Sequence, residues 1–164
     1  MKLIGFNTLT LVLAVLGAHA VGTTPQQEHF LRDAIRGDSS EIGLALMAQQ
    51  RAVSPKVREL GVELVQDHMQ ARAEAFNVAH DLRVAAPQSL TPAALRERER
   101  LENVDGRAFD RAFLRHVIAD RREDISDFTA QAHGRGPTAT YAQRTLPTLV
   151  RHLQTAERLR REST

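Results

Sequence analysis

Apolar residues recur three and four positions apart along three long stretches of the chain. This spacing places them on one face of an α-helix and leaves the charged residues on the other faces. The sequence lacks the period-two alternation of a half-buried strand, so an all-α fold is predicted. The three stripes are Val57, Leu60, Leu64, Ala71, Ala75, Val78 and Leu82; Phe109, Phe113, Leu114, Val117, Ile125 and Phe128; and Leu146, Leu149, Leu153, Ala156 and Leu159.

Prolines, glycines and cap residues divide the chain into helices. Thr24-Pro25-Gln26-Gln27 combines an N-cap, a first-turn proline and a capping-box glutamine, and Ser54-Pro55 repeats the cap-then-proline signature. The run at 37–40, Gly-Asp-Ser-Ser, is expected to interrupt the first helix, and Pro147 is expected to kink the last one. The predicted helices cover residues 25–52 with that interruption, 55–84, 92–103, 107–133 and a final segment from about 138.

Four long amphipathic helices and one short charged helix are the elements of a four-helix bundle. The stretch 85–106 lies between the second and third long helices and contains the short one. A helix of about 12 residues covers roughly 18 Å, so this stretch is long enough to cross between distant ends of the bundle. The predicted topology is therefore ferritin-like, with a short crossover helix between the second and third long helices.

The first 20 residues have the features of a secretory signal peptide. Lys2 supplies the positive charge, an apolar stretch follows, and Ala18-His19-Ala20 matches the A-x-A cleavage pattern, so cleavage is expected before Val21. The remaining residues, 21–164, suffice for one domain with its own core, and none of their apolar runs is long enough to span a membrane. A periplasmic or otherwise exported location, with association to the envelope, is expected.

Charge and cysteine content exclude several kinds of site. The chain has no cysteine, which excludes thiolate ligands, cysteine nucleophiles and disulfides. The whole chain has 22 basic and 20 acidic residues, and removal of the leader would take away one basic residue, Lys2. The remaining charges of the two signs are almost balanced. The two signs are interleaved, as in LRERERLENVDGRAFDR, which indicates a solvated helix surface and not a nucleic-acid-binding stripe. No nucleophile elbow or phosphate loop is present, so no catalytic residue is predicted.

Four polar residues fall on the apolar stripes: Glu41, His68, Arg121 and His152. The midpoint of positions 41 and 68 falls at the turn between the first two long helices, and that of 121 and 152 at the turn between the last two. Each pair is therefore expected at one height in its antiparallel hairpin, about 20 Å from the turn. All four residues are predicted to share one layer inside the bundle, where such folds hold metals and cofactors.

One interpretation of this layer is a divalent metal site for iron, zinc or manganese. Glu41, His68 and His152 would be its ligands, with Asp120 or Asp124 in addition, because imidazoles and carboxylates on facing helices converge on such ions. The pattern differs from a di-iron centre, since neither histidine has a glutamate three residues before it.

The other interpretation is a structural polar layer. Arg121 would pair with Glu41, while His68 and His152 would hydrogen-bond to each other across the core. A permanently protonated arginine at this place opposes a bound cation, and buried ionic groups can specify which helices become neighbours. The residues alone leave both interpretations open.

Three motifs resemble a bacterial family of exported, ferritin-like domains of unknown function, the family numbered four-one-four-two. They are SEIGLALMAQQRAVSPKVRELGVELVQDH, FDRAFLRHVIADRREDISDF and TLPTLVRHLQTAERL. The resemblance covers nearly all of the chain after the leader, and it implies a helical fold and an envelope location, because members are often labelled membrane or outer-membrane proteins. It implies no activity. Where the family usually has a histidine in its third helix, this chain has Arg121.

The other titratable residues are expected to be less important. His29, His80, His116 and His133 are placed at the surface or rim, and His116 is out of phase with position 121. Adjacency to His68 does not make Asp67 its orienting partner, because the two side chains point about 100° apart around the helix. Asp110 is expected to favour the helix N-terminus.

These features predict a non-catalytic binding or interaction module of the bacterial envelope, with an unidentified envelope partner, no nucleic acid and no established cofactor. The alternative is a periplasmic metal-binding protein that uses Glu41, His68 and His152. The sequence leaves the oligomeric state open.

Overall fold

A computed structural model describes residues 23–87 and 89–163, and within them it contains helices and no strands. The predicted signal peptide, residues 1–20, lies outside the described residues. The helices are α1 Pro25–Arg51, α2 Pro55–Asp81, α3 Pro92–Glu102, α4 Gly106–Ala132 and α5 Pro137–Glu162. The predicted all-α class is confirmed. No helix in the described part of the chain is long and apolar enough to cross a membrane.

The start of α1 shows the predicted capping box. The Thr24 side chain accepts a hydrogen bond from the Gln27 backbone N–H, and the Thr24 N–H donates to the Gln27 side chain. The predicted interruption at 37–40 is wrong, because α1 is continuous through it. Buried Ile35 and Leu44 lie on either side, and the Ser39 hydroxyl donates to the Ile35 carbonyl oxygen at 2.7 Å. Packing along the whole helix therefore outweighs the weak local propensity of this run.

Two other helix boundaries differ in detail from the sequence prediction. α2 ends at Asp81, a few residues before the predicted end, because Arg83 adopts the left-handed region at φ 58°. The Val84 N–H then bonds the Ala79 carbonyl and the Arg83 N–H bonds the His80 carbonyl, which completes a Schellman motif. α5 is assigned as one continuous helix through Pro147.

The bundle consists of two antiparallel hairpins, α1–α2 and α4–α5, each packed along its length. α2 packs on α5, whereas α1 and α4 meet less closely and leave an open seam. α3 connects the hairpins and touches both α1 and α4. This arrangement is the predicted four-helix bundle with a short crossover helix between the second and third long helices.

Two hydrophobic clusters form the core, one at each end of the bundle. The cluster next to the α1–α2 turn includes Leu44, Leu60 and Phe113, and the one at the opposite end includes Ile35 and Phe128. The polar residues of the middle of each long helix lie between the two clusters. The core is thus divided into two apolar halves separated by a polar layer.

A carboxylate from the second hairpin holds the turn of the first. Asp110 of α4 is buried, and its two oxygens accept the Val53 N–H at 3.0 Å and the Ser54 N–H at 2.8 Å. The Ser54 side chain makes no capping bond at the start of α2, and Asp110 binds the two backbone N–H groups just before that helix. The sequence predicted a role for Asp110 at its own helix N-terminus and did not predict these bonds to the other hairpin.

Arg51 fixes the crossover to the end of α1. Its guanidinium donates to the Leu101 carbonyl at 3.0 Å and to the Val104 carbonyl at 2.9 Å, and it lies 5.3 Å from the centre of the Phe109 ring. These bonds satisfy carbonyl groups at the end of α3, where a helix leaves acceptors unpaired. The crossover, which borders the open seam, is therefore anchored at this end.

Candidate functional site

Glu41, His68, Arg121 and His152 lie in the interior, with at most 3% of each exposed. Arg121 is at the centre of this layer. One of its terminal nitrogens, Nη1, lies 2.6 Å from His68 Nε2, and the other, Nη2, lies 3.4 Å from Glu41 Oε2. The structure thus brings Arg121 between the glutamate of α1 and the histidine of α2.

The contacts of His68 define its protonation. Arginine can only donate hydrogen bonds, so Nε2 of His68 must be the unprotonated acceptor. The other ring nitrogen, Nδ1, lies 2.8 Å from Asp38 Oδ1 and donates to it. His68 is therefore a neutral imidazole that connects Asp38 to Arg121, and sequence reasoning did not identify Asp38 as a member of the layer.

More carboxylates surround Arg121 than it can neutralise. Besides Glu41, its Nη2 contacts Asp120 and lies 3.1 Å from Asp124 Oδ2. Burial raises the pKa of Asp124 well above its ordinary value of 3.8, and the charges of neighbouring carboxylates add to this effect. Burial also raises the pKa of Asp38. The site thus carries a surplus of acidic groups.

His116 is the main partner of Glu41, a contact that its spacing in the sequence did not predict. His116 Nε2 is 2.6 Å from Glu41 Oε1, and its Nδ1 is 3.4 Å from Glu97 Oε1 of the crossover helix. Burial lowers the pKa of His116, but the charge of Glu41 opposes it, and the balance raises the pKa to about 9. Burial raises the pKa of Glu41, yet His116 and Arg121 outweigh it and keep that pKa well below its ordinary value.

His152 forms a separate contact on the α2–α5 side. Its Nε2 donates to Asp67 Oδ2 at 2.8 Å, and Arg151 binds both Asp67 and Glu63. Burial lowers the pKa of His152 to about 4, so the ring is neutral. Its ring centre lies 5.6 Å from that of His68. The predicted hydrogen bond between the two histidines is wrong, because the Nε2 atom of His152 bonds to Asp67 and both nitrogens of His68 bond elsewhere.

The predicted metal ligands do not converge on one point. Among the described residues, imidazole and carboxylate atoms within 4.8 Å of one another form two groups, Glu41–His116–Asp120 and Glu63–Asp67–His152. Glu41 and His152 belong to different groups, and His68 belongs to neither. The Arg121 guanidinium occupies the space between Glu41 and His68, which is why these two cannot share an ion.

The polar layer opens into a cleft of about 980 Å³ along the α1–α4 seam. α4 contributes a continuous acidic face, because positions 120, 123, 124 and 127 lie on one side of a helix. The described residues lining the cleft include one arginine, Arg36, which lies 3.4 Å from Asp33. The carboxylates in the lining are Asp33, Asp38, Glu41, Glu97, Asp120, Glu123, Asp124 and Asp127.

Stability should decline as the pH rises from about 6.5 to about 9. The pKa of His116 is higher in the folded state than its ordinary 6.5, so its ion pair stabilises the protein fully below about pH 6.5 and is lost through about pH 9. The raised pKa of Asp124 acts in the same direction, since deprotonation is harder in the folded state. The lowered pKa of Glu41 makes its contribution disappear only in acid, as the pH falls below 4.5.

The measurement is the free energy of unfolding from urea titrations across this pH range. His116→Gln should flatten the decline, because it removes the ionisation that faces Glu41, Glu97 and Asp120. His80→Gln is the matched control, since its side chain is 89% exposed. An unchanged pH profile in His116→Gln would contradict the assignment.

Comparison with known proteins supports both the fold and the family. The crystal structure of a DUF305 fragment from Deinococcus radiodurans superposes with a TM-score of 0.77 over 86% of this chain and 99% of that one, at 16% sequence identity. At this identity the similarity concerns the fold alone. No curated protein matches the sequence. The model of the family described as "Domain of unknown function (DUF4142)" matches residues 14–159, and the chain therefore belongs to the DUF4142 family.

Proposed function

We propose that this protein is an exported, non-catalytic binding module of the bacterial envelope, and that its α1–α4 cleft binds a small multivalent cation. The leader-like sequence of residues 1–20 supports export. The cleft supports the choice of ligand, because eight of its lining residues are carboxylates and one is an arginine.

The observation that carries this proposal is a buried carboxylate oxygen without a hydrogen-bond partner at the inner end of the cleft. Asp38 is 8% exposed and lines the cleft, and its Oδ2 atom has no hydrogen-bond partner among the described residues. A buried oxygen without a partner is costly, since it loses water without a replacement. A cation in the cleft would satisfy this oxygen and offset the mutual repulsion of Asp38, Glu41 and Asp124.

The arrangement supports binding more than catalysis. His68 is bonded through both ring nitrogens, and the Arg121 guanidinium is surrounded by carboxylates, so these groups are fixed in place. His68 therefore has no free nitrogen with which to act as a general base. The layer is instead suited to holding charge at a constant position beneath the cleft.

Calorimetric titration of residues 21–164, purified without chelator, tests the binding proposal. Spermidine and Mn²⁺ are the two probes, and they distinguish an organic from a metallic cation. Saturable binding of either probe, weakened at least tenfold in Asp38→Asn or Asp124→Asn and unchanged in Asp81→Asn outside the cleft, is the expected result. Heats that do not saturate for both probes would overturn the proposal.

Export is tested separately. A bacterial host expressing residues 1–164 should place the protein in the periplasmic fraction, with Val21 as the first residue by mass spectrometry. Recovery of the uncleaved chain in the cytoplasm would contradict this part of the proposal.

A further inference from the structure

We infer that Glu41, His116 and Asp120 are the ligands of a divalent metal ion at the inner end of the cleft. The inference deepens the cation-binding proposal above and rests on it. This ligand set shares Glu41 and Asp120 with the residues predicted from the sequence, and it replaces His68 and His152 with His116, a histidine that sequence reasoning placed at the surface or rim.

The three ligands come from two facing helices. His116 and Asp120 are four residues apart on α4 and therefore lie on the same face, and Glu41 reaches them from α1. One ligand atom from each lies within 4.8 Å of the other two. Ligand atoms bound to Zn²⁺ at about 2.0–2.2 Å lie closer together than this limit, so small side-chain movements suffice to bring all three onto one ion.

The His116 ring presents one nitrogen to Glu41 and the other to Glu97, and a metal ion bound at Nε2 would displace the proton that this atom donates to Glu41. Its Nε2 points at Glu41, and its Nδ1 faces Glu97 Oε1 at 3.4 Å. Histidine ligands usually donate their second nitrogen to a carboxylate, which fixes the ring and makes it a better ligand. Glu97 is itself held by Arg100, whose Nε donates to Glu97 Oε2 at 2.9 Å.

Free acceptor capacity remains at the proposed position. Glu41 is 2% exposed, and its Oε2 atom has no hydrogen-bond partner, although Arg121 Nη2 lies 3.4 Å away. Arg121 does not cancel the charge of the site, because Asp120 and Asp124 contact the same guanidinium nitrogen. The free Glu41 Oε2 atom is therefore available to a divalent ion at this position.

The second group of possible ligands, Glu63–Asp67–His152, lacks these features. Arg151 hydrogen-bonds both of its carboxylates, whereas Arg121 hydrogen-bonds Asp120 but makes no hydrogen bond to Glu41. The Nδ1 atom of His152 has no partner among the described residues, and so no second carboxylate holds that ring if Nε2 binds an ion. One imidazole with two carboxylates suits zinc, manganese or iron, and the group at Glu41 is the one able to accept them.

Zn²⁺ and Co²⁺ are the probes that test the inference. Residues 21–164 should bind one equivalent of Zn²⁺ by calorimetry, and Co²⁺ should give a visible absorption band that Zn²⁺ removes. His116→Gln and Asp120→Asn should each weaken Zn²⁺ binding at least a hundredfold. Glu97→Gln should weaken it about tenfold to a hundredfold, as changes that disturb an orienting carboxylate do. Asp67→Asn, in the second group, should have no effect.

Circular dichroism checks that each variant folds. His116→Gln and Asp120→Asn each remove a different ligand, so they are two separate tests of the site. Unchanged Zn²⁺ affinity in both His116→Gln and Asp120→Asn, or its loss in Asp67→Asn, would overturn the inference. If spermidine binds but neither metal does, the metal site is wrong and the cation-binding cleft stands. If no cation binds at all, both proposals fail.

Discussion

Replacing Arg121 with leucine should lower the free energy of unfolding by about 3–5 kcal/mol. The side chain is 1% exposed and contacts Glu41, Asp120, Asp124 and His68. Its removal leaves a buried carboxylate without its guanidinium and removes the donor to His68 Nε2. Removing one partner of a buried ion pair is costly, because the desolvation penalty of the other remains uncompensated. Urea denaturation at neutral pH measures the loss.

A second substitution shows which carboxylate is responsible. The side chains of Asp120 and Asp124 are 34% and 32% exposed, whereas that of Glu41 is 2% exposed. Glu41→Gln combined with Arg121→Leu should therefore be less destabilising than the two single changes added together. Arg122→Leu is the control, since the Arg122 side chain is 63% exposed and pairs with Glu157 at the surface. Equal melting temperatures for Arg121→Leu and wild type would contradict a structural ion pair at this place.

Helical periodicity predicted the layer residues because it reports which face of a helix each residue occupies. Glu41, His68, Arg121 and His152 interrupt apolar stripes, and all four are buried at the boundary between the two hydrophobic clusters. Counting residues from each turn placed them at similar heights, since the rise per residue of a helix is constant. These steps need only local geometry, which is why the sequence sufficed for them.

The hydrogen-bond partners could not be predicted in the same way. His116 lies five residues before Arg121, which puts its Cα off the central stripe, yet its ring reaches Glu41 across the open seam. Glu97 reaches the same ring only because the crossover helix passes over it. The residues around Asp38 suggest a helix break, yet Asp38 lies three residues before Glu41 and four after Ala34 on the buried face. That spacing is the feature of the sequence that would have predicted its burial in the layer.

Buried positions were easier to predict from the sequence than hydrogen-bond partners, and the reason is physical. Burial follows from one helix at a time, whereas a side-chain contact depends on the separation and rotation of two helices and on the path of the connection. The α1–α4 seam is the loosest of the long-helix contacts, so polar side chains from both sides meet there without close backbone packing. The residues that sequence reasoning missed, Asp38, His116 and Glu97, all line the cleft at this seam.

Replacing Asp110 with alanine should lower the free energy of unfolding by about 2–4 kcal/mol. Its carboxylate accepts the Val53 and Ser54 N–H groups just before α2, close to the partial positive charge of that helix N-terminus. The Ser54 hydroxyl makes no capping bond at this end of α2. The loss should also loosen the α1–α2 turn against α4, since these two bonds connect the hairpins there.

Hydrogen exchange separates this effect from a general loss of stability. In Asp110→Ala the Val53 and Ser54 amides should exchange much faster than those in the middle of α2, because the local bonds are gone while the helix remains. Asp110→Asn should lie between alanine and wild type, since it keeps one acceptor oxygen but neither the second acceptor nor the charge. Asp81→Ala is the control for loss of an acidic side chain, because its carboxylate is 75% exposed at the other end of α2. Slow exchange at residues 53 and 54 in Asp110→Ala would show that another protein group replaces the carboxylate, and that the hairpins do not depend on it.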